Sequence, residues 1–236
     1  MPSQEHAPDM HRNEKRSKQI IAIAAKRHHE RLALTSSFQT QSIPLLHLVS
    51  QICPTTPVLF LDTGFHFAET LAFKSEIQEV LGLNIVDLKP LSGQAEGQSK
   101  NQQLPSSDPN LCCHLNKVEP LQNELKNFDA WITGIRRDQT SQRSKSKVVS
   151  TQNNGTVKIC PMLNWSKEDI ETYIAKHSLP RHPLHEAGFA SIGCAPCTAL
   201  PSTNDARSGR WAGTSKTECG LHLDPKPPIH SRSENS

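Results

Sequence analysis

Apolar residues recur at helical spacing over 14–30, then give way to short, unbroken apolar runs set far apart. A second helical pattern occupies 166–177, where Ser166 followed three residues later by Asp169 is an N-terminal capping signature and Pro180 marks the stop. Between the two lie RLALTS (31–36), PVLFLD (57–62), NIVDLK (84–89), AWITGI (130–135) and VKICPML (157–163), β-branched or Leu-rich. Their separations of about 25 residues or more leave room for the helical crossovers that parallel strands require. The pattern predicts an α/β protein built on a doubly wound, mostly parallel open sheet.

In such sheets ligands sit beyond the carboxyl ends of the strands. The polar clusters TSSFQTQS, DTGFHFAET and GIRRDQT follow the first, second and fourth apolar runs, so three loops are expected to converge on one edge. A strand followed by small hydroxyl residues and a helix start suits a phosphate cradle as well as an ordinary turn. Ser36, Ser37 and Ser42 are its candidate donors, and the Gly-Lys-Ser/Thr ending of a Walker loop is missing.

Length and composition narrow this further. At 236 residues the chain is one sizeable domain with appendages. Pro and Ser concentrate in 1–13, 91–109 and 224–236, which read as a disordered tail, a mobile insertion within an α/β domain over 14–198, and the end of a flexible C-terminal segment over 199–236. A net charge of +3 is too small for a nucleic-acid coat and favours small anionic ligands. No apolar run approaches the ~20 residues of a membrane span, and the N-terminus has no apolar signal-peptide core. A cytoplasmic protein with no membrane partner is expected, and in that reducing compartment seven cysteines point to metal binding or catalysis rather than disulfides.

Four of those cysteines fall in two tight pairs, Cys112–Cys113 in NLCCHLNK and Cys194–Cys197 in GCAPCT. Zinc draws its ligands from knuckles in which two thiolates share one turn. Adjacent cysteines, with Cα atoms only ~3.8 Å apart and diverging side chains, suit a larger object with several irons, such as a cuboidal iron–sulfur cluster held by four thiolates. Structural zinc stays open as the alternative. Cys219, in KTECGLH, stands apart in a Gly-, Ser- and Thr-rich stretch that follows Arg207, Arg210 and Lys216, and cationic surroundings favour a nucleophilic thiolate. Cys53 and Cys160 border apolar runs and read as structural.

With SSFQTQS, LDTGFHFAET, CCHLNKVEPL, TGIRRDQTSQR, GCAPCT, DARSGRW and ECGLH in this order, the chain resembles the adenylyl-sulfate (APS) reductases and, more widely, the phosphoadenylyl-sulfate (PAPS) reductase family, from about Arg31 to Leu223. The resemblance implies an adenine-nucleotide α-hydrolase-like fold, a [4Fe-4S] cluster on Cys112, Cys113, Cys194 and Cys197, and APS as substrate. It implies that Cys219 attacks the sulfonate sulfur, that AMP leaves, and that a separate thioredoxin or glutaredoxin then releases sulfite, within cysteine biosynthesis. Lys117 matches a lysine set between cluster and substrate, and Arg207 and Arg210 match residues that bind the phosphosulfate. Arg136 and Arg137 are expected to extend the anion-binding edge, with Arg143 a weaker candidate; Asp62 is expected to hold loop or ribose geometry.

PAPS reduction or dual use, an ATP-pyrophosphatase-type tRNA-thiolating enzyme, and a zinc-stabilised nucleic-acid-binding module are the competing readings. A homo-oligomer is compatible with the sequence.

Overall fold

The computed structural model describes residues 7–91, 103–203 and 205–222. Residues 1–6, 92–102 and 223–236, which hold much of the predicted tails and insertion, lie outside the described residues. Six strands form one sheet in the order β3-β2-β1-β4-β6-β5. Five of them are the predicted apolar runs: β1 (Leu32–Thr35), β2 (Val58–Leu61), β3 (Ile85–Leu88), β4 (Ala130–Thr133) and β6 (Val157–Ile159). All neighbouring pairs are parallel except β5 (Val149–Thr151), which runs antiparallel along β6. This edge strand was not predicted. Its signal is the Asn153-Asn154-Gly155 turn, closed by Gln152 N–H donating to the Thr156 carbonyl at 2.8 Å. The run 157–163 ends as a strand at Ile159 because Pro161 has no N–H for the ladder.

Side-chain alternation sorts the strands into two cores. Leu32, Leu34, Val58, Phe60, Ala130 and Ile132 face one side of the sheet, while Ala33, Leu59 and Trp131 face the other. The first face is covered by α1 (Ala7–His28), α2 (Ile43–Ile52), α3 (Ala68–Leu81) and α8 (Lys167–Lys176). Against the second pack Leu121 and Leu125 of one long helical run and Leu221 from near the C-terminus. That run opens with α4 (Leu104–Ser107) and α5 (Pro109–Cys113), passes through a π-helical turn (His114–Val118) and continues as α6 (Glu119–Glu124). Part of the predicted insertion 91–109 is therefore ordered: Asp108 caps α5 by accepting from Asn110 N and Leu111 N, with Pro109 in the first turn. Two short helices, α7 (Ser141–Ser144) and α9 (Pro183–Glu186), complete the set used below.

The Ser166–Asp169 capping box forms as predicted, at 3.1 and 2.9 Å. α1 begins at Ala7, so residues 7–13 of the predicted tail are helical. Met10, Glu14, Ser17, Ile21 and Ala24 make a buried stripe at three- and four-residue intervals. Glu14 joins α1 to α8, accepting from Lys18 Nζ at 2.6 Å and from Lys176 Nζ at 2.9 Å. Burial alone would raise its carboxyl, but those bonds outweigh it and hold it down at about 2. A depressed carboxyl stabilises the fold above its unfolded value of 4.5 and loses that contribution as pH falls toward 2. Glu14→Gln is expected to cost about 2 kcal/mol at pH 7 once the solvent exposure of both lysines is discounted. Paired urea titrations should show the cost shrinking below pH 4.5.

Among the described residues no helix is long and apolar enough to cross a membrane.

Candidate active site

The chain leaves β1 toward β2 and β3 on one side, and β4 lies on the other side of β1. The loops after β1 and β4 therefore part above the sheet, where an open α/β sheet places its ligand crevice. A cavity lies there, backed by Thr35, Leu59, Phe60 and Thr133, and walled by Ser36, Ser37 and Ser42 after β1 and by Gly134, Ile135 and Gln139 after β4.

The serine wall is held from within. Ser36 Oγ accepts at 3.1 Å from the N–H of Phe38, a residue held at φ +54°, while Ser37 Oγ accepts from Gln39 Nε2 at 3.2 Å and lies 3.5 Å from Ser42 Oγ. Gln39 Oε1 in turn accepts from Ile192 N at 3.2 Å, tying this loop to the segment carrying Cys194. Asp62 does not line the cavity. Its Oδ1 accepts from Gly64 N at 3.2 Å and shapes the loop after β2. His66 does line it, but its Nε2–H donates to the Leu61 carbonyl at 2.8 Å and burial pushes its pKa down, leaving a neutral, committed ring.

Lys117, Arg143, Arg207 and Arg210 line the cavity, and no Asp or Glu does. Among the described residues this is a wall of cations facing hydroxyls, suited to an anion rich in oxygens. Arg136 and Arg137 are not part of it. Arg136 is buried, its guanidinium shared between Asp138, at 3.0 and 3.1 Å, and Gln41 Oε1 at 2.8 Å, so it ties the β4 loop to the β1 loop. Arg137 turns outward to Asn164 and the Ser146 carbonyl. The weaker candidate, Arg143, takes the place expected of them. Thr140 caps α7 by accepting from Arg143 N at 3.2 Å and sets that arginine at the cavity edge.

Arg210 reaches the cavity across Gly193. Its Nε donates to the Cys197 carbonyl at 3.3 Å, and Nη1 lies 3.4 Å from both the Ile192 carbonyl and Ser191 Oγ. A Cβ on Gly193 would stand 2.1 Å from Arg210 Nη2, so only glycine lets the guanidinium lie there. Trp211 completes the corner, with Arg210 4.5 Å and Arg207 5.9 Å from its ring centroid.

Beside these cations lies the sulfur. Cys113, Cys194 and Cys197 pack together with Trp211, Phe65 and Cys219. Cys112 is within electrostatic reach of the same three cluster-candidate thiols and accepts from Asn116 Nδ2 at 3.6 Å. None of the seven cysteines is in a disulfide. Burial raises Cys112 to about 11 and pushes Cys113 and Cys197 up as well. Cys194 departs from them: burial would raise it, but Lys117, a contact of 3.3 Å from Thr63 Oγ1 and Arg210 outweigh burial and bring it down. Lys117 lies in the π-helical turn four residues after Cys113, a helix irregularity common at functional sites. Burial opposes its charge, yet the sulfurs of Cys194, Cys113 and Cys219 outweigh burial and push its pKa up.

Four buried thiols from two segments, with a lysine enclosed among sulfur, form a donor set fit for an iron–sulfur cluster. Among the described residues no three His, Cys, Asp or Glu side chains gather tightly enough to hold a single metal ion.

Cys219 lines the cavity, half-buried. Its surroundings correct the expectation of a flexible segment over 199–236 as far as His222. Thr198 bridges to Arg210, Leu221 packs on the second core, and His222 stacks on Trp131 at 6.1 Å while its carbonyl accepts from Lys158 Nζ at 3.3 Å. Thr63 and Gln39 were not singled out from sequence as site residues, although Thr63 lies in the DTGFH loop already placed at this edge.

Residues 31–200 match the phosphoadenosine phosphosulfate reductase domain family. The chain is 42% identical over 207 residues to a protein from Streptomyces coelicolor named adenosine 5′-phosphosulfate reductase, a match covering 86% of this chain and 87% of that one. Among solved structures it resembles the phosphoadenylyl-sulfate reductase of Candida auris in its phosphate complex, with a TM-score of 0.67, 25% identity, and 84% and 98% of the two chains covered. The FMN adenylyltransferase of Candida glabrata shares the fold, with a TM-score of 0.63, 16% identity, and 83% and 67% covered. These neighbours identify the sheet as adenine-nucleotide α-hydrolase-like.

Proposed function

The chain belongs to the phosphoadenosine phosphosulfate reductase family, and from that membership we propose that it reduces adenosine 5′-phosphosulfate (APS) to sulfite and AMP through a covalent intermediate on Cys219, in the assimilation of sulfate. The observation that carries the reading is the Cys219 thiol on the wall of a cavity at the sheet's switch point that, among the described residues, is lined by Lys117, Arg143, Arg207 and Arg210 and by no carboxylate.

The residues divide the work. Ser36, Ser37 and Ser42 offer hydroxyls to the nucleotide phosphate, and the apolar backing of Leu59, Phe60 and Ile135 suits the base. Lys117, Arg207 and Arg210 neutralise oxygens that would otherwise repel an incoming thiolate, while Arg143 lines the cavity with its guanidinium paired to Glu218. The Cys219 sulfur then bonds to the sulfonate sulfur as the sulfur–oxygen bond to phosphate breaks, and AMP leaves with that electron pair. In the second half a thiolate of a separate dithiol protein, thioredoxin or glutaredoxin, attacks the Cys219 sulfur. Sulfite departs with the bonding pair, and the partner's second thiol frees Cys219 as a thiolate, leaving the partner oxidised. Both electrons come from the dithiol, so the balance needs none from iron.

Cys112, Cys113, Cys194 and Cys197 would hold a [4Fe-4S] cluster, which supplies a structural tie between the two cysteine segments and an electrostatic counterpart for Lys117. APS is favoured over PAPS by the names of curated relatives at 39–45% identity and by possession of all four thiols.

Mixing the anaerobic protein with APS and no reductant tests the reading. Intact mass should show one SO₃ group added, and peptide mapping should place it on Cys219. Sulfite release from an unmodified protein would overturn it.

A further inference from the structure

Glu218 immediately precedes Cys219, and a carboxylate is the group least suited to stand beside a thiolate that must meet an anion. The structure removes it from the cavity by clipping it. Glu218 is 6% exposed, and Arg143 holds it bidentately, Nε to Oε1 and Nη2 to Oε2, each at 2.7 Å. Thr140 Oγ1 donates to Oε1 at 2.9 Å, and Arg207 Nη2 stands 3.9 Å from Oε2 while donating to the Thr217 carbonyl at 2.8 Å. Burial alone would raise the Glu218 carboxyl, but the bond and charge of Arg143 outweigh it and keep it ionised. Two of the four cavity cations thus grip the two residues before the nucleophile.

The grip serves one half of the proposed reaction and opposes the other. Seated, Cys219 lies on the cavity wall against Cys113, Cys194, Cys197 and Trp211, where a bound sulfonate would meet it. Half-buried against those side chains, the sulfur offers a protein dithiol little room for in-line approach, so the segment is expected to leave before sulfite is released. Gly220, with φ +91°, supplies a backbone pivot directly after Cys219.

Resting on the function proposed above, we infer that Glu218 is a positioning residue: its clip on Arg143 seats Cys219 for attack on the substrate and must open for the partner thiol, so its strength sets the two half-reactions against each other. A bidentate guanidinium–carboxylate pair has the directionality for this task. An ion pair serving stability alone would not couple the two rates with opposite sign.

Glu218→Gln keeps the side-chain shape and removes the charge; Glu218→Asp keeps the charge on a shorter arm. In the anaerobic holoprotein, adduct formation with APS is timed by quenched intact mass. Sulfite release is timed separately, by adding reduced thioredoxin to the isolated adduct. The expected result is adduct formation slowed about tenfold or more in Glu218→Gln, as loss of a charged hydrogen bond implies, with faster sulfite release, and Glu218→Asp between it and wild type. Slowing of both steps, or no change in either, overturns the inference. Hydrogen exchange over 212–222 in the unliganded protein gives an independent readout: protection should fall in Glu218→Gln, and unchanged protection also overturns it. Failure of the wild type to form any adduct would sink the proposed function instead, with the exchange result still deciding whether Glu218 anchors the segment.

Discussion

The Cys219→Ser variant is expected to form no covalent adduct and to lose about 10⁴-fold or more in sulfite production, because a hydroxyl gives up its proton far less readily than a thiol. The two cavity histidines are weak bases: burial pushes His66 down, and burial together with Arg143, Lys158 and Arg207 holds His222 well below its ordinary value. Substrate affinity should stay close to wild type because Lys117, Arg143, Arg207 and Arg210 are untouched. Iron content should also persist, as the four-thiol set does not include Cys219. Single-turnover mass spectrometry, equilibrium binding of AMP and iron analysis check the three parts. Retained sulfite release would place the nucleophile elsewhere.

The sheet was legible in the sequence because its strands are buried on both faces: Leu32, Leu34, Val58 and Ile132 are shielded together with Ala33, Leu59 and Trp131, which produces unbroken apolar runs. The edge strand β5 escaped notice because Val149 and Thr151 are exposed and carry no such run. The site was legible to the level of its loops. Within GIRRDQTSQR the tandem pair Arg136–Arg137 drew attention, yet the short helix α7 carries Arg143 to the cavity while Asp138 and Gln41 engage Arg136. Charge density along a chain does not reveal which guanidinium the backbone aims inward. The C-terminal segment misled for a related reason. Its Gly, Ser and Thr content signals mobility, but its order comes from Glu218 on Arg143 and His222 on Trp131, partners 75 or more residues away in sequence. Likewise, α1 begins seven residues earlier than predicted because its first turns offer only Met10 as an apolar signal.

Those long-range ties converge on sulfur, and Cys194→Ala is expected to have the largest structural effect of any single substitution. Cys194 receives the contact from Thr63 after β2, offsets the enclosed charge of Lys117, and begins the turn in which Cys197 N–H donates to the Cys194 carbonyl at 3.0 Å. Removing its sulfur takes one ligand from the proposed cluster and leaves the half-buried Lys117 ammonium short of its principal counter-charge. Over 191–222 the buried apolar anchors are few, Ile192 and Trp211 beside the cysteines themselves, so the order of that stretch depends on the tie to Cys112 and Cys113. The variant should lose iron and visible absorbance, expose 191–222 to rapid hydrogen exchange, and lose activity at least a hundredfold, since Arg207, Arg210 and Cys219 all lie there. Exchange in β1, β2 and β4 should change little, because Leu34, Phe60 and Ile132 belong to a core that Cys112, Cys113, Cys194 and Cys197 do not enter. Cys160→Ala is the control: that thiol is fully buried with Ile135 and Leu163, is raised to about 11 by burial, and should leave iron and activity in place. Zinc in place of iron in the wild-type protein, or a Cys194→Ala variant that keeps its iron, would show that the four thiols are not gathered for a cluster.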